Sequence, residues 1–157
     1  MTPREIITAE EHLATVLLPQ LNGRVFHVTS RPNVPLIMEA GALLPNTAGR
    51  FTSAFGRRSN GFFQQRGCVS VFDYRDTTRI EDSLSRCSPW APLEWWPDGF
   101  AIFVLSPALY DSLESTQVWH QLRAYHQMVV PGVEAGHPGA ISLSSVQEII
   151  VVSVLPR

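Results

Sequence analysis

Residues 25–41 constrain the fold of this chain more tightly than any other stretch. Val25-Phe26-His27-Val28-Thr29 alternates in the manner of a strand. Ser30-Arg31-Pro32-Asn33-Val34-Pro35-Leu36-Ile37-Met38-Glu39-Ala40-Gly41 then reads as a short capped helix. Asn33 suits the cap and Pro35 the first turn, where a missing N–H is not needed. Gly41 suits the left-handed position just past the end. Residues two apart on a strand share a face, so His27 and Thr29 point the same way and offer two hydrogen-bonding groups on a short rigid segment. That pairing has the form of a ligand grip. Near the other end, Glu148 opens the apolar run Ile149-Ile150-Val151-Val152-Ser153-Val154, expected as the last strand, with a lone carboxylate at its mouth.

Around these two fixed points the sequence predicts short, mixed elements. Thr8 with Glu11 three residues later has the capping-box pattern and predicts a helix of about a dozen residues closing near Asn22-Gly23. Residues 45–67 lose periodicity among Gly, Ser, Asn and Thr, with Phe51, Phe55, Phe62 and Phe63 spaced through them; a loop of that length is functional or mobile in most compact domains. Cys68–Tyr74 alternates as a strand. Asp76 or Thr77 caps a helix to about Arg86, the Pro- and Trp-rich segment 88–97 reads as a packed loop, and Phe100–Leu105 as a buried strand. Ser106-Pro107 starts another helix. A strand is expected over Gln127–Val130, a loop over Gly132–Pro138, and one or two strands over Ile141–Val154. Short strands and helices without regular βαβ alternation predict an α+β fold in one domain, 1–157.

The 157 residues suffice to bury a core. Apolar content of 45% with 17% charged residues describes a globular chain, not a disordered one. No apolar run reaches the ~20 residues of a membrane span, and Met1-Thr2-Pro3-Arg4-Glu5 lacks the features of a secretory signal, so the expectation is cytoplasmic with no membrane contact. A signal read from the folded protein would leave no such trace. Cys68 and Cys87 have no metal-ligand spacing, and a reducing compartment disfavours a disulfide between them. All twelve basic residues are arginine, either through biased composition or because planar forks suit phosphates and carboxylates. The net charge of −2 argues against broad capture of nucleic acid. Yet no acidic residue falls between Glu39 and Asp73, where Arg50, Arg57, Arg58 and Arg66 all lie.

His-x-Thr at a strand end, Asn-x-Pro-x-Ile in a short helix, then Gly and a Leu-Pro pair resemble the opening of the ADP-ribosyltransferase fold. The branch most similar contains the DNA-targeting ADP-ribosyltransferase toxins of bacterial toxin–antitoxin pairs; poly-ADP-ribose polymerases and RNA 2′-phosphotransferases are more distant. The resemblance implies split, mostly antiparallel sheets with short helices, and NAD as a substrate without a metal. It implies transfer of ADP-ribose to a DNA, RNA or protein acceptor and, in a toxin, an inhibitory antitoxin or immunity partner. It assigns NAD contacts to His27, Val28 and Thr29, an aromatic near nicotinamide to Phe72 or Tyr74, and the catalytic carboxylate to Glu148. Arg66 is the first candidate for pyrophosphate by analogy with the toxin branch, followed by Arg50, Arg57 and Arg58. The chain departs from arginine-modifying relatives, which carry Glu-x-Glu where this one has Val146 before Glu148. It departs from polymerases in having Val28 where they carry glycine.

The residue types fit that chemistry. Breaking the nicotinamide–ribose bond builds an oxocarbenium-like cation that a carboxylate stabilises, and the same group serves to orient or deprotonate an acceptor. Read from residue types alone, each position also has a plainer explanation. His27 reads as a hydrogen-bonded core residue, Glu148 as a solvated strand edge, and Phe72 and Tyr74 as strand aromatics. The arginine loop reads as solvated surface, and Trp90, Trp95 and Trp96 as staples of their loop. A non-catalytic binding protein that retains the fold, and RNA 2′-phosphate removal, are the rival functions.

Overall fold

A computed structural model of the chain describes residues 1–46 and 61–157. Its strands are β1 (Arg4–Thr8), β2 (Val25–Ser30), β3 (Ala42–Leu43), β4 (Cys68–Asp73), β5 (Phe100–Leu105), β6 (Glu114–Ser115), β7 (Glu134–Pro138), β8 (Ile141–Ser142) and β9 (Val146–Val154). The α-helices are α1 (Leu13–Leu21), α2 (Asn33–Ala40), α3 (Phe62–Gln65), α4 (Ile80–Arg86) and α5 (Thr116–Gln121). Seven strands form one sheet in the order β1-β9-β5-β2-β4-β7-β6, and β3 pairs with β8 in a small ribbon. Every pairing in the large sheet is antiparallel except β1 with β9. The expected α+β class, mostly antiparallel with short helices, is what the chain adopts.

The apolar run of β5 is buried at every position because β2 and β9 flank it and side chains cover both faces. On one face Phe26, Val28, Phe72, Ile102, Val104, Ile150 and Val152 pack under α1, α4, Trp90 and Trp96. Leu13, Leu17 and Leu21 recur every four residues and give α1 its buried stripe. On the other face Val25, Val69, Val71, Phe103, Leu105, Ile149 and Val151 meet Ile37 of α2 and the β3–β8 ribbon. The strand alternation thus sorts residues into two apolar layers.

Some local readings shift. Thr8 ends a strand instead of capping a helix; its hydroxyl donates to the Ala9 carbonyl, and α1 begins only at Leu13 after a 3-10 turn. The charged Arg4-Glu5 pair that hid β1 suits a sheet margin, where charge discourages edge pairing. Residues 127–130 hold no strand beyond the isolated bridge from Met128 to Gly61. The strand lies instead at β7, inside the expected loop, disguised by Gly136 and Pro138. Gly136 is there because a Cβ would stand 2.4 Å from the Phe63 ring. Asn33 is the first residue of α2 and not its cap, and Gly41 takes φ +71° as expected. Asp76 and Ser106 both cap, each accepting from a backbone N–H two residues on. Cys68 and Cys87 are free thiols.

Candidate functional site

The sheet parts where the motif histidine stands. β2 and β4 each have six residues, yet only Val25–Asp73 and Phe26–Phe72 pair before the ladder stops. Its neighbours are longer: β2 with β5 and β4 with β7 each pair over five positions. His27 is the first residue past the last rung, and its Nδ1 lies 2.7 Å from the Ser70 carbonyl oxygen across the opening. The parity of β4 explains why that oxygen needs a donor. The Asp73 N–H donates to Val133, in the direction of β7, and alternate residues of an antiparallel strand turn to alternate neighbours. Ser70 therefore turns its carbonyl towards β2, where no rung remains, and an unpaired interior carbonyl is costly. His27 takes the place of the missing rung.

That bond also sets the ring's chemistry. A carbonyl only accepts, so Nδ1 carries the hydrogen and the neutral ring keeps its lone pair on Nε2. Burial pushes the His27 pKa below its ordinary value, against the smaller opposite effect of the Ser70 bond. The ring is therefore a neutral acceptor at pH 7.

A carboxylate stands on the other side of Ser70. Glu134 Oε2 accepts from the Ser70 hydroxyl at 2.6 Å, and Oε1 from the Val130 N–H at 2.7 Å. Burial raises the Glu134 pKa, and the two donors hold it back only in part. By strand register Glu134 is opposite Phe72, on the first apolar face, whereas His27 is opposite Phe103 on the second. The two reach Ser70 from opposite faces and meet at the seam between β2 and β4. Each keeps partial exposure.

Glu148 is not brought to His27. It is opposite Val104, whose side chain enters the first layer, while His27 is opposite Phe103, in the second. Consecutive strand residues point to opposite faces, so the two groups leave the sheet in opposite directions, two strands apart. Glu148 pairs with Arg4 of β1 at 2.8 Å, and Arg4 also reaches Gln20 of α1. It is a salt bridge at the sheet's margin.

The remaining sequence candidates are mostly engaged inside the chain. Arg66 sits towards the opposite margin, bidentate to Glu114 at 2.9 and 3.0 Å and over the Phe62 ring; its fork already holds a carboxylate. Thr29 Oγ1 accepts from Asn33 Nδ2 at 2.9 Å, which ties β2 to the start of α2. Val28 points into the first layer. Phe72 stacks on Phe26 at 5.6 Å, and Tyr74, wholly buried, meets Phe26 edge-on at 5.0 Å. Neither aromatic presents a face to a ligand. Arg50, with Arg57 and Arg58, lies outside the described residues. Among the described residues no three His, Cys, Asp or Glu side chains gather as a metal site requires, and no helix is long and apolar enough to cross a membrane.

The sequence reading passed over Ser70 and Glu134. Ser70 is an ordinary polar position in an alternating strand, and Glu134 sits in Pro-Gly-Val-Glu-Ala-Gly, which reads as turn. The one available signal was parity: Ser70 is the residue that a continued β2–β4 ladder would set opposite Val28, next to the motif histidine. Comparison with protein-family models, with curated proteins and with solved structures found no match.

Proposed function

We propose that this chain is an NAD-dependent ADP-ribosyltransferase acting on a macromolecule, with His27, just past the end of the β2–β4 ladder, as its nicotinamide–ribose contact. The observation that supports the reading is the neutral imidazole of His27, whose Nδ1 is held by the Ser70 carbonyl and whose Nε2 keeps a lone pair for a ribose hydroxyl. His27 Nε2 accepts from a ribose hydroxyl. The C1′–nitrogen bond breaks, and its electron pair leaves with neutral nicotinamide. The acceptor's nucleophilic atom then bonds to C1′, and its proton passes to solvent. If the chain is a toxin of the kind it resembles, an inhibitory partner accompanies it.

One observation favours a second reading, a non-catalytic binding protein that keeps the fold: Thr29, Arg66, Phe72 and Tyr74 are all committed to partners or packing within the chain. Nicotinamide release from NAD separates the two. The transferase reading expects release by the wild type and a loss of roughly tenfold or more in His27→Ala, with Glu148→Gln near wild type. It also expects NAD to raise the melting temperature of the wild type more than that of His27→Ala. Absence of both release and a thermal shift favours the binder. Loss of activity in Glu148→Gln alone would return the carboxylate role to Glu148.

A further inference from the structure

We propose that the corner at the end of α5, built from Trp119, Leu122, Arg123 and Tyr125, is a docking surface for an acidic segment of a partner protein that carries apolar anchors. It follows β6 at the sheet's margin, three strands from β2 and His27, and does not depend on the transferase reading. Large apolar side chains gather there in the open: Leu122 is 57% exposed, Tyr125 59% and Met128 46%. The corner is built to hold its shape. Trp119 packs on the Phe62 and Phe63 cluster, and its indole N–H donates to the Gln127 carbonyl at 3.0 Å. Tyr125 and His120 meet the Trp119 ring edge-on at 5.0 and 4.8 Å. Leu122, three residues after Trp119, neighbours it on the helix surface. A surface already ordered loses little freedom on binding.

Arg123 supplies the charge. Its N–H donates to the His120 carbonyl, and the Ala124 N–H to the Trp119 carbonyl, the paired bonds that close a helix. Arg123 therefore sits at φ +50°, the left-handed place that glycine ordinarily fills. No side-chain bond within the chain offsets that strain. Among the described residues, Arg123 is the one arginine whose guanidinium makes no hydrogen bond or ion pair. No acidic residue lies between Glu114 and Glu134, and Glu114 is itself held by Arg66. The patch thus combines the residue types that anchor protein interfaces, Trp, Tyr, Met and Arg, with an absence of acid. Its charge complements carboxylates. One free guanidinium neutralises one phosphate, too little for nucleic acid, and Leu122 and Met128 offer no ring to a base.

The test uses the full chain and two helical peptides of about 16 residues. Each carries leucine and tryptophan on one face and either glutamate or glutamine on the other. Binding is followed by fluorescence anisotropy and by amide shift mapping. The glutamate peptide is expected to bind and to shift the amides of 118–128, with the glutamine peptide roughly tenfold weaker. Arg123→Gly should weaken the glutamate peptide roughly tenfold and leave the melting temperature no lower, since glycine suits that backbone. Tyr125→Ala should weaken both peptides by a similar factor. Equal affinity for the two peptides, shifts elsewhere on the chain, or no binding by either overturns the proposal. So does tighter binding of oligothymidylate, or self-association that Tyr125→Ala abolishes; these would assign the face to nucleic acid or to a second copy.

Discussion

Single side chains in this protein are informative where a polar atom is buried. Tyr74 is fully enclosed and its hydroxyl has no hydrogen-bond partner among the described residues. Burial, with a smaller effect from nearby Cys87, pushes its pKa far up, so the group stays neutral. An enclosed hydroxyl without a partner costs about 1–3 kcal/mol. Tyr74→Phe should therefore stabilise the fold by about 1 kcal/mol, measured by urea denaturation; a loss of stability would show that the hydroxyl does have a partner. Glu134 and His27 give opposite pH signatures. The folded pKa of Glu134 is raised, so its contribution is intact at acid pH and is lost as pH rises through that folded value. His27 has a lowered folded pKa, so its contribution is intact above its ordinary value of 6.5 and is lost as pH falls through the folded one. The pH dependence of the melting temperature should weaken above pH 4.5 in Glu134→Gln and below pH 6.5 in His27→Gln. At this scale the sequence singled out His27 because its motif is local, and passed over Ser70 and Glu134 because their hydrogen bond depends on strand parity and on pairings far apart in sequence.

At the level of elements, β1 carries more than its five residues suggest. It runs parallel to β9 along its whole length and closes that side of the sheet, with Ile6 packed on the first apolar layer and Ile7 67% exposed. Removing residues 1–8 would uncover the edge of the apolar strand β9, an invitation to self-association. The expected outcome is a melting temperature lower by about 5–10 °C and concentration-dependent aggregation, seen by calorimetry and light scattering. An unchanged, monomeric truncated chain would show β1 to be an ornament. The long runs of β5 and β9 and the alternation of β2 and β4 were readable, since burial on both faces selects apolar residues. β1 and β7 were not: one wears the charges of a margin and the other the glycine and proline of a turn. The apparent capping box at Thr8 and Glu11 failed because pairing with β9 outweighs a local cap worth about 1 kcal/mol.

Seen whole, the molecule is two layers of apolar packing on one sheet, and the α+β class follows from the sequence because short strands without regular crossover helices allow little else. What the sequence did not contain was where the sheet stops being continuous. Two pairs join β2 to β4, where five join each to its other neighbour. The molecule therefore consists of a four-strand half and a three-strand half, sewn together at one corner by Val25–Asp73 and Phe26–Phe72 and by the Phe26, Phe72 and Tyr74 rings. Amide exchange should be slowest across β5 and β9 and faster on the seam-facing amides of β4; equal protection on both would mean that the halves open only with global unfolding.

Such a construction behaves as a clasp. Two rungs and an aromatic cluster fasten its corner, β5 and β7 hold the outer sides of the two jaws, and beyond the corner the imidazole of His27 is the latch that bridges them. Anything that competes for the Ser70 oxygen would undo that latch, and faster exchange at the jaws should report it.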